Sequence, residues 1–302
     1  MFKSGIFSAA LVLFAFSLYG QQMPSGGSSA APVIESPQTP KISDFDIQGN
    51  DDGTMTILNY KGLAKNIIIP EKIFNMPVTR IREGAFKQKG LVGAAIPKTV
   101  TFIGDETFYN NQLTAVTLPE ILEYIGDSAF AGNMLGSVAI PSKVAVIGNS
   151  AFANNRLTAI TIPNSVTYIG TEAFRSNPLT AVTIGSGVLY IGAAAFIAYD
   201  NGITTLTLGS NIRYIGSEAF YDHRVANLVI PNSVVYIGTR GFGPFYDSML
   251  KSVTIGKYVM LEDDRAFASE VGNNFDGIYK NNDKLAGKYV FADNAWTFTP
   301  RP

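Results

Sequence analysis

Hydrophobic and polar positions recur along this chain with a fixed period. From about residue 67 to residue 267 they follow the pattern L-x-x-V-x-I-P-x-x-V-x-x-I-G-x-x-A-F-x-x-N. Nine phenylalanines close the successive copies, at spacings of 22, 22, 22, 22, 22, 24, 22 and 25 residues. They are Phe86, Phe108, Phe130, Phe152, Phe174, Phe196, Phe220, Phe242 and Phe267. Such a period predicts a solenoid in which each copy forms one coil.

The copy at Leu157–Phe174, LTAITIPNSVTYIGTEAF, shows the elements that one coil should contain. Its first apolar positions predict a short strand, which ends at Pro163 because proline cannot donate to a β-ladder. Val166–Ile169 predicts a second extended piece, which leads to Gly170. One coil carries too few apolar side chains to fold alone, so neighbouring coils must stack on both of its flat sides.

The second half of each coil predicts a tight corner. A glycine recurs there, and we expect it to adopt a positive φ, which glycine tolerates best. The glycines are Gly104, Gly126, Gly148, Gly170, Gly192, Gly216 and Gly238. The residue after the glycine is of an N-cap type in Asp105, Asp127, Asn149, Thr171 and Ser217, which predicts a single helical turn.

An asparagine follows the closing phenylalanine by three residues in four coils: Asn111, Asn133, Asn155 and Asn177. An inward ladder of asparagines would satisfy backbone groups at the corner. His223, the one histidine of the chain, stands in the same register. We therefore interpret it as a member of this ladder and not as a catalytic base.

This repeat resembles the BspA-like leucine-rich repeats, which have an L-x-x-L-x-I-P-x-x-V-x-x-I-G-x-x-A-F core. The resemblance covers about Ile67 to Phe267. It implies a right-handed leucine-rich repeat solenoid that is mostly β, with a parallel sheet on one face and short helical turns. It also implies a bacterial surface or secreted protein linked to adhesion and protein binding. It supplies no ligand, because these proteins bind through surface positions that vary.

The chain divides into five segments by composition. We expect a signal peptide at 1–20, a flexible linker at 21–43, an N-terminal cap at 44–66, about nine repeats at 67–267 and a C-terminal cap at 268–302. Hairpin-like caps at both ends would cover the exposed core and strand edges of the terminal coils. Asp51 and Asp52 belong to the expected hairpin turn of the first cap and lack the spacing of a calcium loop.

Export is the expected fate of the chain. The positive start Met1-Phe-Lys3 and the short apolar run Ser4–Tyr19 are typical of a secretory signal peptide, and a buried N-terminal helix is the alternative. The absence of cysteine excludes a lipoprotein anchor, disulfides and thiol chemistry. We expect a secreted or surface-held protein without membrane insertion, with the periplasm as another possible compartment.

Charge and residue type predict no enzyme, cofactor or metal site. Lys and Arg number 23 against 24 Asp and Glu, and no basic patch favours nucleic acid. No catalytic residue can be named. A hydrolase or lyase would require two carboxylates converging within about 5–10 Å in a cleft.

The candidate binding residues are aromatic. The residue before most Ile-Gly pairs is Phe102, Tyr124, Tyr168, Tyr190, Tyr214 or Tyr236, with Val146 as the exception. Neighbouring rings should lie about 5 Å apart. Because the adjacent isoleucine already fills the core, we expect this aromatic ladder on the surface, where tyrosine suits interfaces. Self-stacking that stiffens the coils, or partial burial, is the alternative.

Two insertions and one stripe of small residues complete the candidate surfaces. The inserted loops contribute Tyr199, Phe245 and Tyr246 as candidate ligand-binding residues. Small residues alternate with the core on the first strand of each coil, from Ala115 to Thr254, as a tightly stacked sheet requires. We predict a non-enzymatic protein that binds proteins or glycans of host matrix or neighbouring cells. A passive structural spacer of the envelope or periplasm is the alternative.

Overall fold

A computed structural model describes residues 36–197, 202–242, 250–263, 266–267, 275–292 and 295–300 of the chain. The predicted signal peptide, the linker up to residue 35, and the loop residues Tyr199, Phe245 and Tyr246 lie outside the described residues. The repeats form a β-solenoid of about nine turns with a parallel sheet, which confirms the predicted fold class.

Most strands are very short. They are β1 (Phe45–Gly49), β2 (Met55–Tyr60), β3 (Asn66–Ile68), β4 (Lys72–Ile73), β5 (Met76–Ile81), β6 (Gly93–Ala95), β7 (Phe102–Ile103), β8 (Tyr124–Ile125), β9 (Val146–Ile147), β10 (Ala159–Ile162), β11 (Tyr168–Ile169), β12 (Ala181–Ile184), β13 (Tyr190–Ile191), β14 (Thr205–Thr207), β15 (Tyr214–Ile215), β16 (Asn227–Val229), β17 (Tyr236–Ile237), β18 (Ser252–Ile255), β19 (Met260–Leu261), β20 (Gly287–Ala292) and β21 (Ala295–Pro300). A 3-10 helix spans Ile42–Asp44, and the helix α1 spans Phe275–Asn281.

One continuous sheet runs along the coils. Its order is β1-β2-β5-β7-β8-β9-β11-β13-β15-β17-β19, with β4 paired to β5. From β7 to β17 each coil contributes only the two residues before its glycine, and equivalent residues pair in parallel, as in Tyr168 with Tyr190 and Ile169 with Ile191. The 22-residue period therefore becomes a one-to-one register between coils.

The first strand of each coil forms a second, interrupted ribbon. Its pieces are β3-β6, β10-β12-β14 and β16-β18-β20-β21. The segments Leu113–Leu118 and Leu135–Ile140, which lie between β6 and β10, have the same sequence pattern but no assigned strand. Where the ribbon is regular its register is again one to one, with Ala159 opposite Ala181.

The core is a column of phenylalanine rings. The nine rings that close the copies are buried, and neighbouring rings are separated by 5.1–5.5 Å with nearly parallel planes. The isoleucine before each corner glycine, such as Ile169, is also fully buried. Each coil thus lays its apolar side chains flat against those of its neighbours, and this contact supplies the core that a single coil lacks.

The corner glycines do not have the positive φ that the sequence predicted. None of the seven is among the residues with positive φ; that conformation falls two residues later, for example at Ser128 and Glu172. The glycines are required by close approach instead. A Cβ added to Gly170 would lie 2.5 Å from the backbone nitrogen of Asn149, in the preceding coil. The prediction of a positive φ was wrong because it was based on the turn alone. The glycine is needed because the backbone of the preceding coil lies so close.

The corner also differs from a helical turn with an N-cap. It consists of overlapping turns closed by three-residue hydrogen bonds, such as Ala129 N to Gly126 O (3.3 Å) and Ala131 N to Ser128 O (3.1 Å). The expected cap side chains bridge coils. Oδ1 of Asp127 accepts a hydrogen bond from the backbone nitrogen of Asn149 in the next coil at 2.7 Å. These side chains therefore stabilise the stack rather than a helix terminus.

The predicted asparagine ladder is confirmed. Nδ2 of Asn155 donates to the carbonyls of Phe130 (2.9 Å) and Phe152 (3.1 Å), while its Oδ1 accepts from Leu135 N (3.0 Å). Asn111, Asn133 and Asn177 make the same contacts and are equally buried. One amide satisfies backbone groups of two successive coils.

Hairpins lie at both ends of the repeats. β1 and β2 pair antiparallel, and β2 joins the continuous sheet by pairing with β5. At the other end β20 pairs antiparallel with β18 and with β21. Phe275 of α1 and Tyr289 of β20 are buried against the last coil, and Trp296 packs on Phe275 at 5.1 Å. Aromatic side chains thus cover the end of the phenylalanine column.

Candidate functional site

The structure places the predicted aromatic ladder on the continuous sheet. Its residues are the first residue of β7, β8, β11, β13, β15 and β17, and they face each other in register across neighbouring strands. Tyr190 and Tyr214 are exposed, at 37% and 47%, and the other members are half-buried. The isoleucine that follows each ring is buried, because successive residues of a strand point to opposite faces.

The rings change their arrangement along the ladder. Phe102 and Tyr124 are stacked at 4.8 Å, and Tyr168 and Tyr190 at 5.1 Å, with planes within 5° of parallel. Tyr214 lies 6.4 Å from the rings on either side, at angles of 42° and 44°. The first part of the ladder, up to Tyr190, is therefore self-stacked, whereas Tyr214 is tilted against both Tyr190 and Tyr236.

Large apolar side chains are exposed beside the ladder residues of the late coils. Leu189 and Val235, which directly precede ladder residues, are each 44% exposed, and Met260, which pairs with Tyr236, is 58% exposed. Backbone hydrogen bonds through Arg213 link Leu189 to Val235 across three successive coils. We call this set the apolar patch, and it comprises Leu189, Tyr190, Tyr214, Val235, Tyr236 and Met260.

Three members of the apolar patch, the tyrosines, were predicted from sequence. The other three were not, and they are Leu189, Val235 and Met260. Equivalent positions in earlier coils are Thr101, Glu123, Ala145 and Thr167, which are small or polar. The change to Leu189 and Val235 in that column was the available signal. It could not be interpreted from sequence, because an apolar residue beside the core register is equally compatible with burial.

Three tyrosines of the ladder remain neutral at physiological pH. Burial raises the pKa of Tyr124, Tyr168 and Tyr236 above the ordinary value. Next to Tyr236, the Glu262 carboxylate accepts hydrogen bonds from Thr239 N (2.7 Å) and Ser217 Oγ (2.9 Å). These contacts, with the Thr239 backbone bond the strongest, lower the pKa of Glu262. The last coil therefore brings a fixed negative charge to the edge of the apolar patch.

His223 lies in the corner ladder, as its register predicted. It is fully buried, its Nδ1 accepts a hydrogen bond from Val225 N at 3.2 Å, and its ring lies edge-on to Phe242 at 6.0 Å. Burial lowers its pKa to about 4, so the imidazole is neutral at physiological pH. Its contacts are those of a structural residue.

The small-residue stripe is exposed along most of its length. Ala115, Ala159 and Thr183 face solvent, and shallow depressions of about 290 and 400 Å³ lie beside the first two. Ser252 and Thr254 were expected to face outward like the others, and this was wrong. Both are buried in β18, the strand on which the C-terminal hairpin pairs.

The described residues contain neither a metal-binding cluster nor a membrane-spanning helix. No group of three or more His, Cys, Asp or Glu side chains in this part of the chain could hold a metal ion. None of the helices in the same part has the length and apolarity needed to cross a membrane.

Comparison with known proteins then decides the family. A model of the BspA type leucine-rich repeat region, in six copies, matches residues 79–201 and 198–295. The chain belongs to the BspA-type leucine-rich repeat family. No curated protein matches it. BspA-type repeats occur in bacterial surface proteins, which indicates a role in protein interaction, and repeat proteins of this kind are generally non-enzymatic.

Two solved structures resemble this BspA-type protein. A leucine-rich repeat protein of T. pallidum is 26% identical, covers 58% of this chain and 85% of its own, and has a TM-score of 0.53. A leucine-rich repeat protein of Bacteroides ovatus is 21% identical, covers 76% of this chain and 66% of its own, and has a TM-score of 0.56. Both support the repeat fold, and neither description states a ligand.

Proposed function

We propose that this BspA-type protein is an exported adhesin-like binding protein, and that it contacts a protein partner through the aromatic ladder and the apolar patch. The observation that carries the proposal is the exposure of Tyr214 and Met260 on one continuous sheet, and of Leu189 directly before one of its strands. Partners on host matrix or neighbouring cells fit a protein of this family, and a glycan is the alternative ligand of the same rings.

The exposed side chains of the apolar patch do not stabilise the fold. Each coil already buries its isoleucine and phenylalanine, and the patch residues leave apolar surface in water, which is unfavourable by about 25 cal/mol per Å². Contiguous exposed apolar patches on soluble proteins mark interaction sites. Tyrosine and methionine are also enriched in protein interfaces. A partner that covers the patch would remove this apolar surface from water and gain the corresponding free energy.

Flatness and charge favour a protein over a small molecule. Four of the six patch residues lie on paired strands and span four coils, from Tyr190 to Met260, so the patch is a flat surface and not a cavity. Arg213 and Glu262 supply one charge of each sign near it, which suits the polar rim of an interface.

The test replaces Tyr168, Tyr190, Tyr214 and Tyr236 with serine in one variant of the mature protein. We expect binding to weaken by at least about tenfold, because truncated interface aromatics commonly carry this much affinity. Binding is measured by surface plasmon resonance on immobilised matrix proteins and by adhesion to cells. Tyr221→Ser, at a corner away from the patch, is the matched control and should bind like the original protein.

Two outcomes would contradict the proposal. Unchanged binding of the serine variant, with an unaltered melting curve, would remove the ladder as the site. No saturable binding of the original protein to any immobilised protein or cell would favour the passive spacer.

Export is a separate part of the proposal. We propose that residues 1–20 act as a signal peptide and that 21–43 form a linker ahead of the folded part, which suits a family typically found at the surface or secreted. Fractionation of cells with N-terminal sequencing should find the protein outside the cytoplasm, beginning near Gln21. Recovery of a cytoplasmic protein that still begins at Met1 would exclude export.

A further inference from the structure

The corner surface of the solenoid carries a feature unrelated to the aromatic ladder. Two ion pairs lie at corners of the coils that flank this feature. They join Lys87 to Glu106, and Arg175 to Glu172 at 2.6 Å. In the two coils between them, serine replaces the glutamate, at Ser128 and Ser150. The residue after the closing phenylalanine, a long side chain in the flanking coils, is alanine in these two coils.

These substitutions open a depression of about 360 Å³, which we call the corner notch. Its lining includes Tyr109, Ser128, Ser150, Asn154, Glu172 and Arg175. Tyr109 lies at one end, and the Glu172–Arg175 ion pair lies at the other. The volume is in the range of small-ligand sites.

Three polar side chains of the notch are available to a ligand. The hydroxyls of Ser128 and Ser150 and the side-chain amide of Asn154 bond to no described residue. Glu172 adds a carboxylate, which accepts hydrogen bonds strongly, and Arg175 adds a planar donor. The notch therefore offers donors and acceptors on its floor and a charged pair at one wall.

Tyr109 supplies the complementary apolar surface. Lys87 Nζ lies 5.3 Å from the centre of its ring, a cation–π contact that holds the ring in place. A pyranose has one apolar face of C–H groups, which packs on an aromatic ring, and a rim of hydroxyls, which bond to serine, asparagine, carboxylate and guanidinium groups. The combination of one ring with several polar side chains thus suits a sugar better than an apolar ligand.

The spacing of the coils selects the kind of sugar chain. Ring separations of 5.2, 5.3 and 5.5 Å mark the three steps from the coil of Tyr109 to the coil of Arg175. Successive sugars in an extended β-1,4-linked chain repeat at nearly the same distance, so each sugar would meet one coil. A coiled α-1,4-linked chain would lose this register after one sugar.

From these observations we propose that the corner notch binds an extended β-1,4-linked oligosaccharide. The site is separate from the apolar patch and does not rest on protein binding there. Tyr109 stacks on one sugar, Ser128, Ser150 and Asn154 bond to hydroxyl or acetamido groups, and the Glu172–Arg175 pair bonds to the sugar at the far end.

Isothermal titration calorimetry with cellotetraose and with tetra-N-acetylchitotetraose tests the proposal, and maltotetraose is the linkage control. We expect saturable binding of at least one β-1,4-linked probe, and binding of maltotetraose at least about tenfold weaker. Tyr109→Ala should weaken binding by about tenfold, which is the upper range for one aromatic contact.

A blocking variant shows whether the notch is the site. The double variant Ser128→Glu, Ser150→Glu fills it with the residue that occupies this register at Glu106, Glu172 and Glu218 with the same positive φ, so the fold should tolerate it. We expect it to lose binding while its melting curve shows a folded protein. Glu218→Ser, the reverse change in a coil outside the notch, is the matched control and should bind normally.

Several results would overturn the proposal. They are no saturable binding of either β-1,4-linked probe, equal binding of maltotetraose, or undiminished binding by the blocking variant. Loss of sugar binding in the four-tyrosine serine variant of the ladder would also overturn it, since the sugar would then occupy the ladder.

Discussion

At the scale of single residues, the corner ladder shows how one position can be filled by different chemistry. Asn155 satisfies two carbonyls and one backbone N–H through its side-chain amide. His223 occupies the same register with a ring, accepting from Val225 N and packing on Phe242. An asparagine has no proton to gain in the ordinary pH range, whereas a buried imidazole does. The one histidine therefore introduces a pH-sensitive point into the core.

His223 should make the fold less stable in acid. Its pKa falls from the ordinary 6.5 to about 4 on burial. Stability from this group is complete above pH 6.5 and is lost as pH falls toward 4, because the unfolded chain takes up a proton that the folded chain refuses. The expected loss is up to about 3 kcal/mol.

Urea unfolding at several values between pH 7 and pH 4 measures this loss. His223→Asn, which restores the residue of the ladder, should remove most of the histidine contribution to the slope, leaving that of the carboxylates. If the variant and the original protein lost equal stability over this range, the buried neutral histidine would be contradicted.

At the scale of elements, each coil is shaped by its neighbour more than by its own propensities. From β7 onward the strands of the continuous sheet are two residues long, too short to persist alone, and they pair with the equivalent two residues on each side. The glycine after each pair lets the backbone of the preceding coil approach within a distance that no Cβ allows. Coil spacing is therefore set by these glycines together with the phenylalanine column.

Gly170→Ala should destabilise the protein by about 2 to 3 kcal/mol, as overpacking of a tight contact does. Its added Cβ would lie 2.5–2.7 Å from backbone atoms of Gly148 and Asn149. Gly136→Ala is the matched control, since a Cβ there meets nothing within 4 Å and its φ is not positive. The control should change stability by less than about 0.5 kcal/mol. Equal urea midpoints for the two variants would contradict the close-approach explanation.

At the scale of the whole molecule, the repeats are interchangeable in the core and different on the surface. The phenylalanine rings and their spacing vary little from Phe86 to Phe267. The surface changes from self-stacked rings in early coils to the apolar patch in late coils, with the corner notch in the middle. Such a molecule can change a binding surface without changing its core.

Removal of one whole coil should leave a folded protein. Deletion of Leu135–Arg156 removes 22 residues and joins Met134 to Leu157 in register. Because stability in a solenoid is close to a sum of neighbouring contacts, we expect cooperative unfolding with a lower urea midpoint. Circular dichroism per residue should be unchanged.

A half-coil deletion is the matched control. Removal of Leu135–Ala145, 11 residues, places the next strand out of register with the preceding coil. We expect no cooperative unfolding transition from this variant. Equal stability of the two deletions would show that the coils do not depend on register.

The candidate sites were predictable to different degrees. The position of the aromatic ladder was predictable from sequence because its residues stand one position before a core isoleucine, and alternation along a strand places them on the opposite face. The corner notch and half of the apolar patch were not predicted. Ser128 and Glu172 lie in different coils and line one depression only because the coils stack, and the exposure of Leu189 is visible only in the folded chain.

The repeat, its register and the core residues follow from the amino-acid sequence alone, because a coil with so few apolar side chains must stack on its neighbours. The asparagine ladder follows as well, since a buried amide at a corner must bond to backbone groups. The reason for the glycines, the path of the chain at the corner and the exposed surfaces became visible only in the folded stack of coils. Those properties arise between coils, from distances and exposures that no single repeat contains.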